Sequence, residues 1–134
     1  MVYYLFFVIV VIFIYLSLRT LFTPYKLRDK HLSFKNFMFL VFIYLTILIG
    51  FGLIYMILEL RGYDVLLDNG LPIDGNFFVK LQTVIYFSGI TLFSVGYGDV
   101  APLGIARGIA VIEALIGYAI PAAFVVRTFV EGKK

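Results

Sequence analysis

The property that most restricts this chain is the absence of charge over long stretches. Residues 2–18 and 36–58 carry no Asp, Glu, Lys or Arg, residues 77–93 carry only Lys80, and residues 103–130 carry only Arg107, Glu113 and Arg127. In hydrocarbon every backbone N–H and C=O must be satisfied within the protein, which leaves helices and closed barrels as the spanning structures. Residues 36–58 are long enough to cross with some tilt, and residues 2–18 reach about 25 Å at helical rise, marginally enough. Of 134 residues, 63% are hydrophobic and 14% charged, and a soluble body of that size has too little interior to hide so much apolar surface. The expected fold class is an all-α membrane protein.

Composition removes several kinds of chemistry. The chain has no cysteine, so it has no disulfide framework, thiolate metal site or cysteine nucleophile. Its one histidine, His31, stands in a basic polar stretch and reads as a solvated or headgroup-level residue. Glu113 has no second buried carboxylate on its own helix with which to share acid and base work, so the chain does not read as an enzyme and no cofactor is expected. The net charge of +3 is concentrated at two places, which bears on topology and not on nucleic-acid binding.

In chain order, residues 1–22 read as an N-terminal hydrophobic helix with Tyr3, Tyr4 and Tyr15 near its ends, as an aromatic belt places them. No basic residue precedes the apolar run and no small-residue cleavage pattern follows it, so retention is favoured over a signal peptide. Residues 23–35 form a basic linker after Pro24. The charge-rich stretch 19–35 carries Arg19, Lys26, Arg28, Lys30 and Lys35 against Asp29 alone, which puts it in the cytoplasm next to anionic lipid. Ser33 is a candidate N-cap for an outer helix over 36–60, in which Gly50 and Gly52 lean toward close packing against a neighbour. Residues 61–76 are polar and turn-rich, with Asn69-Gly70, Pro72 and Asp74-Gly75-Asn76, and lie outside if the basic linker lies inside. Asp64, Asp68 and Asp74 make this the acidic side, where a ring of such loops raises the local cation concentration. Arg127, Lys133 and Lys134 against Glu131 return the C-terminus to the basic, cytoplasmic side.

Residues 91–99 read Thr-Leu-Phe-Ser-Val-Gly-Tyr-Gly-Asp. Taken alone, Gly-Tyr-Gly-Asp is compatible with an ordinary turn. The flanks raise the signal: residues 86–92 form the end of a short apolar helix, and Pro102 with Arg107 opens a long apolar one. The arrangement resembles the selectivity-filter signature of small pore-only potassium channels, with two transmembrane helices, a re-entrant pore loop and Ser94 in the usual threonine place. The resemblance covers roughly residues 36–130, so the N-terminal hydrophobic helix is an addition to the simplest pattern.

The resemblance implies a homotetramer in membrane lipid that conducts K+ as its permeant ion. Its parts are an outer helix (36–60), a pore helix (77–93), a filter (94–99) and an inner helix (103–130). The filter ligands are Ser94, Val95, Gly96, Tyr97 and Gly98, supported by Thr91 and Asp99. Gly96 and Gly98 supply left-handed dihedrals that let backbone carbonyls face one axis, while Val95 and Tyr97 point away from it. The pore helix begins near an Asp74 or Asn76 cap, and its C-terminal dipole end is expected to face the cavity. Phe93 replaces a frequent threonine, and Ile90 stands where some members keep a carboxylate that pairs with the filter aspartate.

In the last span, Gly117 matches the place of an inner-helix hinge, and Pro121 follows one turn later, so either a moving hinge or a static kink is expected. Glu113 belongs away from lipid, either bonded to Ser88, Thr91 or pore-helix backbone, or facing the cavity as a cation-attracting carboxylate, and the buried role is favoured. No helix carries arginine at every third position, so no voltage sensor is expected. The function expected is potassium-selective conduction. A weakly selective cation channel and an accessory membrane subunit without its own pore are the alternatives.

Overall fold

The structure, a computed structural model, describes Ile12 and residues 34–131. Apart from Ile12, the expected N-terminal helix over 1–22 lies outside the described residues, as does the basic linker up to residue 33. Met38–Lys134 forms one compact unit, and all of the contacts discussed below fall within it.

Among the described residues three helices carry the chain beyond Ile12: α1 (Phe34–Leu60), α2 (Phe77–Leu92) and α3 (Ile105–Glu131). α1 and α3 are each 27 residues long, enough to cross a bilayer, and α2 has only 16. α2 is therefore a short helix between two spanning ones, as a re-entrant segment requires. The boundaries move little from expectation: α1 starts at Phe34, α2 stops one residue early because Phe93 is its C-cap, and α3 starts at Ile105.

Capping residues set the ends. α1 closes with the N–H of Gly62 on the Glu59 carbonyl at 3.1 Å and that of Tyr63 on the Leu58 carbonyl at 3.3 Å. Gly62 takes the left-handed φ of 87° that this double-bonded terminus needs. α2 begins at Asn76, whose side-chain oxygen accepts from the Val79 N–H at 3.0 Å. Asp74, the other candidate cap, accepts instead from the Gly75 N–H at 2.7 Å.

The segment expected as a plain loop contains a small antiparallel sheet. β1 (Leu66–Asp68) lies between β2 (Leu71–Pro72) and β3 (Val100–Pro102). Leu67 is opposite Pro72 on one side and Ala101 on the other. Asn69 and Gly70, at φ 48° and 84°, form the two-residue turn between β1 and β2. The strands are too short, and too rich in proline, for periodicity to reveal them.

The buried interior is built from Tyr55 and Met56 of α1, Val65 and Leu66, Val84, Phe87 and Ile90 of α2, and Ala106 and Ala110 of α3. The Tyr55 and Phe87 rings meet edge to face at 5.1 Å. At Gly52 a methyl group would fall 2.5 Å from Cδ1 at the tip of Ile85 and 3.5 Å from its Cα, so α1 and α2 are in contact here and a shift of the Ile85 side chain would admit the methyl, whereas Gly50 has nothing within 4 Å. Glu59 is also buried, and its carboxylate accepts the N–H groups of Val65 at 2.9 Å and Leu66 at 3.0 Å, tying the end of α1 to the start of the sheet.

Candidate functional site

The stretch after α2 folds back on the end of that helix. The N–H of Phe93 bonds the Gly89 carbonyl at 3.0 Å, that of Ser94 the Thr91 carbonyl at 3.0 Å, and those of Val95 and Gly96 share the Ile90 carbonyl at 2.8 and 3.0 Å. Thr91 thus takes part through its main chain. At this end of α2 the carbonyls of residues 89–91 are occupied by the following loop, and the Leu92 carbonyl lies against Gly117.

Three positive φ values alternate through the loop, 57° at Ser94, 56° at Gly96 and 82° at Gly98, while Val95 and Tyr97 stay negative. A chain that alternates hand in this way turns successive peptide groups to the same side, so that N–H groups gather on one face and carbonyls on the other. Here the N–H groups of residues 94–96 are bonded to α2. Among the described residues, the carbonyls of residues 94–98 accept no hydrogen bond. Both glycines have open space around them, so the demand on them is conformational. Ser94 reaches the same region with a Cβ, at a cost of about 1–2 kcal/mol. Val95 and Tyr97 are 49% and 74% exposed on this single chain.

Asp99 fixes the far end. Its main-chain oxygen accepts from the Asn69 N–H at 2.7 Å, and Oδ2 accepts from the Tyr86 hydroxyl at 2.8 Å. Oδ1 is buried and has no partner among the described residues. That Tyr86–Asp99 bond raises the phenol above the usual tyrosine range, with burial adding to the effect. The partner missing at Ile90 is therefore supplied from one helical turn earlier, by a tyrosine that the sequence reading passed over. The Leu103 N–H bonds the Val65 carbonyl at 2.7 Å, so the sheet anchors the chain where it leaves the loop.

A family profile described as "Ion channel" matches residues 45–131, which includes the second half of α1, α2, the loop and all of α3. The chain belongs to this ion-channel family. It is 42% identical over 118 residues to Protein LctB of Geobacillus stearothermophilus, with 88% of each chain covered. It is 43% identical over 112 residues to Protein LctB of Bacillus caldotenax, with 84% of each covered. No solved structure is a significant match. Membership in a channel family makes this a membrane protein whose work is passage of ions, and among the described residues two helices, α1 and α3, are long and apolar enough to span.

The other singled-out residues of the channel lie on α3. Glu113 is fully buried between the three helices. Its Oε2 accepts from the Tyr55 hydroxyl of α1 at 2.7 Å, its Oε1 is bonded to the Ser88 hydroxyl of α2, and Ser88 also bonds the Leu48 carbonyl at 2.8 Å. Gly117 is buried, and a methyl group there would overlap the Leu92 carbonyl, so its glycine is needed for the approach of α2 to α3. Pro121 lies within the helix and is exposed. Among the described residues no group of three His, Cys, Asp or Glu side chains is placed to hold a metal ion. The residues that sequence reasoning missed are Glu59 and the tyrosines Tyr44, Tyr55 and Tyr86, each tyrosine polar at one atom and apolar over most of its length.

Proposed function

We propose that the protein is a potassium-selective channel in which four copies of the chain surround one pore. The carbonyls of residues 94–98, chiefly those of Ser94, Val95, Gly96 and Tyr97, and the Ser94 hydroxyl replace the water shell of K+ as it passes between adjacent cages. The observation that carries this reading is the alternation of left-handed backbone at Ser94, Gly96 and Gly98, in a loop whose inner N–H groups are already bonded to α2. A single loop cannot surround an ion, and the exposed Val95 and Tyr97 are the surfaces a neighbouring copy covers. Thr91 and Asp99 support the two ends of the loop, Gly117 and Pro121 are the point at which the inner helix bends, and Glu113 joins the three helices. The basic linker 19–35 and the C-terminus face the cytoplasm, and the acidic loop 61–76 faces outward.

The test is the reversal potential of purified protein in planar bilayers with K+ on one side and Na+ on the other, together with its oligomeric state in detergent. The expected result is a tetramer whose reversal potential lies far toward the K+ equilibrium value. Currents indifferent to exchange of K+ for Na+ would leave only a weakly selective cation channel. A monomer without current would leave an accessory subunit.

A further inference from the structure

Pro121 has no N–H, so the carbonyl four residues earlier in α3, that of Gly117, loses its helical donor. The Tyr44 hydroxyl of α1 donates to that carbonyl at 2.9 Å. The same tyrosine ring packs against Phe93 with centroids 5.3 Å apart, immediately before the loop begins at Ser94. Gly117 itself lies against the Leu92 carbonyl at the end of α2.

We propose that Tyr44 is a positioning residue that links the proline-weakened point of α3 to the inner end of the filter. Its hydroxyl takes the place of the missing helical N–H, and its ring braces Phe93. A change of bend at residues 117–121 moves the Gly117 carbonyl, so it either breaks the Tyr44 bond or drags the tyrosine, and in both cases Phe93 loses its support. Tyr44 is half-buried inside an apolar stretch, where an unpaired hydroxyl and an unpaired carbonyl are both unfavourable, so the pair holds one bend of α3 over others. The functional half of this proposal rests on the channel reading.

The test is a cycle of Tyr44→Phe, Pro121→Ala and the double variant in the full chain, reconstituted in planar bilayers. Loss of one interhelical hydrogen bond of the strength usual in membrane proteins is expected to shift the ratio of open to closed time about threefold in Tyr44→Phe. In the Pro121→Ala background the restored N–H satisfies Gly117, so the same change is expected to shift the ratio less than about twofold. Equal shifts in both backgrounds, or no shift in either, overturn the proposal. The thermal unfolding midpoint of the detergent-solubilised protein gives the same comparison without current, and it should fall for Tyr44→Phe only while Pro121 is present. Absence of current in the unaltered protein defeats the channel reading, and the unfolding cycle still decides the Tyr44–Gly117 linkage.

Discussion

Glu113 offers a sharp test because the hydrogen-bonding atoms around it can be counted. The Ser88 hydroxyl owns one proton yet is bonded to two oxygens, the Leu48 carbonyl and Glu113 Oε1. If Ser88 donates to Leu48, the proton in the second bond belongs to Glu113, and the Tyr55 hydroxyl donates to the remaining oxygen. A neutral acid therefore satisfies all three bonds in a site where a charge would be met by hydroxyls and no cation. Glu113→Gln keeps this pattern, its amide NH2 donating to Ser88 and its oxygen accepting from Tyr55, and is expected to change stability by less than about 1 kcal/mol. Glu113→Leu fills similar volume but strands the buried Tyr55 hydroxyl, at a cost of about 2 kcal/mol per chain, a factor of about 30 in the folding equilibrium. The assay is thermal unfolding of the detergent-solubilised protein, paired with K+ flux into liposomes. Equal losses for the Gln and Leu variants would refute the proton count, because they would mean that the site depends on negative charge.

Three further outcomes follow from the same geometry. Gly96→Ala puts a Cβ on a residue at φ 56°, with strain of about 1–2 kcal/mol per chain, and is expected to abolish K+ preference in bi-ionic recordings while leaving the protein assembled. Gly117→Ala drives a methyl group into the Leu92 carbonyl, so it should lower the unfolding midpoint as well as alter gating; a variant with unchanged stability and altered open probability would favour a pure hinge. Tyr86→Phe removes the one side-chain bond that Asp99 receives among the described residues and is expected to raise the Na+ to K+ permeability ratio, an effect that Tyr86→Leu should match and that an unchanged ratio would exclude.

The spans, the short helix between them and the glycine motif were legible because each depends on local sequence: freedom from charge, length, and tolerance of left-handed dihedrals. The Asn76 cap and the Asn69-Gly70 turn belong to the same class. The buried Glu113 and its bond to Ser88 were also expected. The tyrosine bonds were not legible, because their partners lie far apart, Tyr55 and Glu113 by 58 positions and Tyr44 and Gly117 by 73. A tyrosine in an apolar run reads as one more hydrophobic residue until a helix on the other side supplies an acceptor. Ser94 is a different case: nothing about serine announces φ 57°, and its conformation follows from the N–H bonds that draw the loop onto residues 90 and 91. The sheet was hidden because β2 has two residues and β3 ends in proline, which leaves no alternation to detect.

What this chain needs beyond spanning helices is a rule for which faces meet. Lipid tails are as apolar as leucine side chains, so burial alone does not prefer one face of α1 or α3 over another. A glycine and three tyrosines supply the preference. Gly117 is the position where a methyl group would collide with the Leu92 backbone, so it fixes which turn of α3 comes against the end of α2, and Gly52 marks where α1 meets the Ile85 side chain. Tyr44, Tyr55 and Tyr86 then each donate to a single acceptor on another element, Gly117, Glu113 and Asp99. Individually such bonds contribute only about 0.6 kcal/mol on average inside membrane proteins. Their value lies in direction: a rotation of one helix by a single residue costs all of its tyrosine bonds at once, and the loop at 94–99, held by α2 at one end and by Tyr86 and Asn69 at the other, inherits its geometry from that register.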